Sequence, residues 1–207
     1  MEYKNLKDKE EDKSYMTKLS QNWLNIIIPF SHEYNKKFSG SELSRITKIP
    51  QKSISRHLVK LVSEGILKFE AKGNSNFYFL DISDERAVVI LNLIESYKSF
   101  LFSKNIPLWK NIKDLTDFGA VILFGSVVKG YSTSSSDIDL VIFSKNTNKL
   151  REILRGLPKV QAQIITFKSF ETLLFSKDPL AIEILKNHVI FGNVSEFVNL
   201  FRRFYNG

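Results

Sequence analysis

The chain has 207 residues, 43% hydrophobic and 25% charged, with 30 Lys and Arg against 22 Asp and Glu for a formal charge of +8. The absence of cysteine excludes disulfides and thiolate metal sites, and three dispersed histidines, His32, His57 and His188, make no zinc-binding spacing. With no apolar run long enough to span a bilayer and a charged start, the composition predicts a two-domain cytoplasmic protein with a polyanionic partner and no membrane.

Residues 1–14 alternate Lys with Asp and Glu, have little to bury, and are expected to form a disordered tail. A first helix is predicted over 15–30, where Leu19, Trp23, Ile26, Ile27 and Phe30 fall on one face and Pro29 helps to end it. Ser39-Gly40-Ser41-Glu42 fits a capping box that opens a helix to about Lys48. After the Ile49-Pro50 turn, residues 51–64 place Ile54, Leu58, Leu61 and Val62 on one face, and Gly65 sits where a C-terminal cap belongs. Two short helices joined tightly make a helix-turn-helix. The opposite face of the second helix carries Gln51, Lys52, Ser53, Ser55, Arg56, His57 and Lys60, a donor-rich set suited to base edges and phosphates. Residues 66–80 alternate as a hairpin, with Gly73-Asn74 in its loop and Lys68 and Lys72 expected near its tip.

The stretch 39–80, and above all Ile49-Pro50-Gln51-Lys52-Ser53-Ile54-Ser55-Arg56-His57-Leu58 through Glu64-Gly65-Ile66-Leu67, resembles winged helix-turn-helix regulators of the MarR and ArsR kind. The resemblance implies a domain over 15–84 that binds double-stranded DNA. Gln51, Ser53, Ser55 and Arg56 would face the bases, with Lys52, Lys60 and Lys72 on phosphates.

The acidic stretch 81–85 reads as a junction. A connecting segment over 85–107 follows, helical to about Lys104. Its apolar sets, Ala87, Ile90, Leu91, Ile94, Tyr97 and Leu101, then Val88, Leu93 and Phe100, give a face wide enough to pack on both domains or on a second subunit in a homodimer. Pro107 is expected to end it, and residues 108–118 to form a further helix.

Residues 120–143 hold the densest pattern. Ala120-Val121-Ile122-Leu123-Phe124 and Ile138-Asp139-Leu140-Val141-Ile142-Phe143 read as short buried strands, separated by Gly125-Ser126, Gly130 and a serine-rich loop ending at Ser136. Asp137 and Asp139, two apart on a strand, project to one side, where their repulsion calls for a divalent cation such as Mg2+ or Mn2+. A glycine at the strand-to-helix turn lets outward-pointing amides approach a phosphate.

Gly-Ser-x-x-x-Gly followed by Ser-Asp-x-Asp-Leu closely resembles the signature of minimal nucleotidyltransferases of the DNA polymerase β superfamily, over roughly 108–207. The resemblance implies an α+β chain: the winged helix-turn-helix, the connecting helix, and a mixed sheet flanked by helices. It also implies nucleotide binding at Gly125, Ser126, Gly130 and Ser136, with catalysis and metal binding at Asp137 and Asp139. The expected reaction moves a nucleoside monophosphate, AMP from ATP, to a hydroxyl acceptor, and the acceptor class suggested is a partner protein, as for antitoxin halves of nucleotidyltransferase toxin–antitoxin pairs. The family's third carboxylate comes from a later strand, here 160–167, whose polar positions are Gln161 and Gln163. An amide cannot act as general base. The alternative is therefore a DNA-binding regulator whose degenerate nucleotidyltransferase domain binds nucleotide or a partner without turnover. The rest reads as a helix over 149–156, a helix capped by Ser169, a helix capped by Asp178 before Pro179, an extended piece over 188–191, and a last helix opened by Asn193-Val194-Ser195-Glu196 that buries Phe197, Leu200, Phe201 and Phe204.

Overall fold

The computed structural model describes residues 21–133 and 136–207, so the expected tail over 1–14 and the first turns of the predicted opening helix lie outside the described residues. Helix α1 (Gln21–Ile27) passes into a 3-10 turn (Ile28–Ser31) at Pro29, and together they bury Trp23, Ile26, Ile27 and Phe30. Strand β1 (Phe38–Ser39), too short for any periodicity to betray, leads into α2 (Gly40–Thr47). The capping box is formed: the Ser39 amide donates to Glu42 Oε2 at 2.8 Å and the Glu42 amide to Ser39 Oγ at 3.3 Å.

Helix α3 (Gln51–Ser63) buries Ile54, Leu58 and Leu61 and is followed by Gly65 at φ +71. Strands β2 (Lys68–Lys72) and β3 (Ser75–Phe79) pair antiparallel across Gly73-Asn74, and β1 adds to the other edge of β3. One expectation is corrected. Lys68 pairs in register with Phe79, at the base of the hairpin, where it meets Asp81; Lys72 alone of the two lies beside the tip.

Asp84 caps α4 (Glu85–Ser103) by accepting from the Arg86 amide at 2.9 Å. Its buried residues are Ala87, Leu91, Ile94, Glu95 and Lys98, so the helix does not present a purely apolar stripe. It ends at Ser103, ahead of Pro107. That proline sits instead in the first turn of α5 (Ile106–Ile112), where its missing N–H has no intrahelical partner to lose, and a 3-10 segment (Lys113–Phe118) follows.

The remaining elements are β4 (Ala120–Phe124), α6 (Gly125–Lys129), β5 (Ile138–Phe143), α7 (Thr147–Arg155), β6 (Val160–Ile165), α8 (Phe167–Phe175), α9 (Pro179–Lys186), β7 (Val189–Phe191) and α10 (Val194–Asn206). The sheet runs β6-β5-β4-β7, with β5 and β6 parallel and the other pairs antiparallel. Every residue of β4 is buried, because it is a central strand covered on both faces, which is why its sequence is continuously apolar rather than alternating. Val121, Leu123, Leu140 and Ile142 pack with Leu108, Ile112, Leu115 and Leu150 on one face. On the other, Ile122, Val141 and Phe143 meet Phe170, Phe197 and Phe201, and this core continues through Leu91 and Ile94 into Trp23 and Ile26. Arg202 of α10 adds a polar tie to the start of α4, reaching Glu85 at 2.8 Å.

Two caps differ from expectation. Thr166, not Ser169, caps α8, accepting from the Ser169 amide at 3.1 Å, because the helix starts one turn earlier than the pattern suggests. Asn193 precedes α10 at φ 49 and makes no side-chain cap, since its left-handed backbone serves the turn after Gly192. Asp178 caps α9 as expected.

Candidate functional site

The antiparallel register sets Phe124, the last residue of β4, opposite Asp139 of β5. At Gly125 the chain turns with φ +72, and a β-carbon there would stand 2.3 Å from Asp139 Oδ2 and 3.1 Å from its Cγ. Only glycine lets the turn and the acid come this close. Ser126 follows in the first turn of α6, half-buried, with its carbonyl accepting from the Tyr131 amide at 3.3 Å. Gly130 closes α6 at φ +78.

Asp137 is exposed and directly precedes β5, whereas Asp139 is half-buried within it. Burial first, then Asp137 and Glu183, push the Asp139 carboxyl above the usual carboxylate range, against a pull from Lys129. Glu183, on α9, and Lys129, at the end of α6, are joined by an ion pair of 2.6 Å. Pattern reading missed both. Neither belongs to a motif, and Glu183 approaches the acids only because α9 folds back over the end of β4.

The parallel register sets Gln161 level with Asp139, the place where a third carboxylate would enter from β6. Its Nε2 donates to Asp137 Oδ2 at 2.6 Å. Gln163 is exposed two residues further along, level with Val141. Among the described residues no group of three or more His, Cys, Asp or Glu converges as a ready-made metal cage. The Ser136 hydroxyl accepts from the Thr133 amide at 2.9 Å, closing the loop beside Asp137.

On the other half of the chain, Gln51, Lys52, Ser55, Arg56 and Lys60 are exposed along α3 and Ser53 is half-buried, opposite the buried Ile54, Leu58 and Leu61. The Ser55 hydroxyl donates to the Gln51 carbonyl at 3.0 Å. Lys60 lies 3.6 Å from Glu64, and Lys72 is exposed at the hairpin tip.

Residues 108–196 match the family described as polymerase beta, nucleotidyltransferase, and residues 37–68 match the bacterial regulatory protein, arsR family. The chain joins an arsR-type helix-turn-helix to a polymerase β-type nucleotidyltransferase domain. Comparison with curated proteins and with solved structures gives no match. The nucleotidyltransferase match spans the Gly125 turn, both aspartates, Gln161 and Glu183, so the whole candidate site falls inside it. The helix-turn-helix match contains α2 and α3 and stops at the first residue of β2. No helix among the described residues is long and apolar enough to cross a membrane.

Proposed function

We propose that this chain is a metal-dependent nucleotidyltransferase that moves a nucleoside monophosphate, AMP from ATP, to a hydroxyl acceptor with release of pyrophosphate, and that its winged helix brings the activity to double-stranded DNA. The observation that carries this reading is the seating of Gly125, at the strand-to-helix turn, against the Asp139 carboxylate, with Asp137 two residues before it. Burial first, then Asp137 and Glu183, hold the Asp139 carboxyl above its ordinary range, and Asp137 and Asp139 offer carboxylate oxygens side by side along the chain. Such a donor set fits a hard divalent cation, Mg2+ or Mn2+, and Asp137 and Asp139 would hold it. When bound, that ion would neutralise charge on the triphosphate and acidify the acceptor hydroxyl.

The chain's own residues would do the rest. The backbone at Gly125 and Ser126 would grip phosphate oxygens, with Gly130 and Ser136 shaping the flanking loop. Gln161 orients Asp137 through its 2.6 Å hydrogen bond but takes no proton, so the proton of the acceptor would pass to a carboxylate or to water. The acceptor class to test first is a hydroxyl on a partner protein of the toxin kind.

The Gln161–Asp137 hydrogen bond also favours a second reading, a DNA-binding regulator whose nucleotidyltransferase domain holds nucleotide or a partner without turnover. Incubation with radiolabelled ATP and Mg2+, comparing wild type with Asp139→Asn, separates them. Label transferred by wild type alone supports the enzyme. ATP binding by calorimetry with no transfer to any acceptor supports the regulator.

A further inference from the structure

We propose that the free edge of β6 binds an extended, acidic segment of a partner protein as an added strand; that this partner is the acceptor rests on the nucleotidyltransferase reading, whereas the binding does not. β6 ends the sheet order β6-β5-β4-β7. Its neighbour fixes which way its backbone points: the Ile138 amide donates to the Lys159 carbonyl at 2.8 Å and the Ser144 amide to the Ile165 carbonyl at 3.1 Å. Backbone groups alternate sides along a strand, so Gln161 and Gln163 also turn theirs towards β5. Ala162 and Ile164 turn theirs outward, where no described residue pairs with them. The other sheet edges are blunted. β1 and β7 span two and three residues, α4 closes β7 through the Ser99 hydroxyl on the Ile190 carbonyl, and β2 carries Lys68, Glu70 and Lys72. Val160–Ile165 has no charge or proline to hinder pairing.

Charge selects the partner. On α7, Leu150, Ile153 and Leu154 face the sheet, and the Lys149 ammonium stands 5.4 Å from the Phe118 ring, on the β4 side. At about 100° per residue, Arg151 and Arg155 fall on the opposite flank, beside the edge of β6. Both are exposed and, among the described residues, neither is ion-paired. A second copy of the chain would bring the same arginines together, whereas an acidic segment answers them. The strip also leads to the candidate site. The parallel register sets Gln161 level with Asp139, and its side chain reaches Asp137. A strand about 4.8 Å beyond β6 that pairs with Ala162 and Ile164 therefore carries its next residues past the acid pair. A hydroxyl there would attack the α-phosphorus of ATP; its O–P bond forms as the bond to pyrophosphate breaks, and its proton passes to a carboxylate or to water.

The probes are an eight-residue peptide alternating Val with Glu and its Lys-for-Glu counterpart, each titrated into the 15N-labelled full chain without ATP or metal. Expected are saturable shifts and slowed hydrogen exchange at the Ala162 and Ile164 amides with the acidic peptide and none with the basic one. Ala162→Pro removes one outward donor and no bond to β5, and should weaken binding about tenfold or more. Arg151→Glu combined with Arg155→Glu, both at exposed positions, should do the same even if Ala162→Pro fails to fold. Asp139→Asn should leave peptide binding unchanged, and binding by wild type with no label transfer to any acceptor would count against the enzyme reading while the docking strip stands. No saturable shift at these amides, equal shifts with both peptides, shifts that follow protein concentration without peptide, or affinity indifferent to the proline and glutamate substitutions would overturn the proposal.

Discussion

His188 Nε2 lies 3.1 Å from Glu95 Oε1, and both side chains are completely buried. Around the same carboxylate, the Tyr34 hydroxyl donates to Oε1 at 3.1 Å and Lys98 to Oε2 at 2.9 Å. His188 Nδ1 is 2.8 Å from the Ile184 carbonyl, which can only accept, so that nitrogen carries the proton in this contact. One carboxylate on α4 thus gathers the segment after α1, its own helix, and the residue entering β7. The Ser99 hydroxyl also donates to the Ile190 carbonyl, fastening α4 to β7, and β7 pairs with β4, whose far end is the Gly125 turn. The helix that links the two functional halves is bonded to the strand next to the one that carries the candidate site.

Removing Glu95 leaves a buried ammonium and imidazole without their anion, a change of the class that costs about 3–5 kcal/mol. Glu95→Ala is therefore expected to lower the unfolding free energy by about that amount. The apolar core is continuous through both halves, so unfolding of the wild type should be a single transition seen alike by far-UV and near-UV circular dichroism. Two separated transitions in the wild type would contradict the continuity argued here.

Acid should weaken the fold in two windows. His32 is pressed from 6.5 to about 4, first by burial and then by Lys98 and His188. The unfolded chain then binds this proton while the folded one does not, so stability falls as pH drops from about 6.5 towards about 4, by up to about 1.4 kcal/mol per pH unit. Glu95 behaves oppositely in cause but alike in sign: burial pushes it up, yet Lys98 and His188 hold it at about 2, below its ordinary 4.5. Its contribution is complete above about 4.5 and lost as pH falls towards about 2. Urea unfolding at pH 7, 6 and 5 should show a loss in wild type that His32→Gln abolishes, and equal slopes for the two would refute the assignment.

Two glycines with similar backbone angles should behave differently. Gly125 and Gly130 have φ of +72 and +78, so alanine at either costs about 1–2 kcal/mol from the left-handed conformation. A β-carbon at Gly130 meets nothing within 4 Å, whereas at Gly125 it enters the Asp139 carboxylate. Gly125→Ala should lose stability beyond that shared cost and weaken ATP binding about tenfold or more, while Gly130→Ala pays only the first. Thermal unfolding with ATP calorimetry on both variants checks this.

The Asp139 carboxyl is raised, first by burial and then by Asp137 and Glu183, so its ionised form is disfavoured in the folded protein. Asp139→Asn should then raise the melting temperature of the metal-free protein slightly, by about 1–2 °C given solvent screening at this half-open position. Adding MgATP should stabilise wild type and not the variant. A fall in melting temperature for Asp139→Asn without ligand would show that the acid pair is not strained.

Some features read from local spacing hold in three dimensions, while the caps expected at Ser169 and Asn193 do not. Ser39 and Glu42 cap a helix within four residues of each other, and Gly125 and Asp139 meet because β4 and β5 pair antiparallel with Phe124 opposite Asp139. What escaped was tertiary. Glu95 and Lys98, three apart on a helix, look like an ordinary solvated pair until β7 and Tyr34 cover them. Glu183 has no meaning until α9 folds beside β4, and Lys68 left the hairpin tip only once register with Phe79 was known. Gln161 was legible as a departure from an acidic position, but its grip on Asp137 depends on how β6 joins β5.

The DNA-facing assignment makes a prediction in which Lys68 is the control. Lys52 and Lys60 are exposed on α3 and Lys72 at the hairpin tip, so each alanine variant should lower the slope of log affinity against log salt by about 0.9 and weaken every duplex alike. The Lys60–Glu64 pair at 3.6 Å does not prevent this, since Lys60 itself is exposed and a pair of that length contributes little. Under the proposed docking, which sets Arg56 against bases, Arg56→Ala should instead cost about 1–3 kcal/mol on a preferred sequence and little on others. Lys68, at the base of the hairpin and tied to Asp81, should leave both quantities unchanged when replaced by alanine. Fluorescence anisotropy at several salt concentrations measures all five variants, and a slope change for Lys68 equal to that for Lys72 would mean that DNA lies along the hairpin and not at its tip.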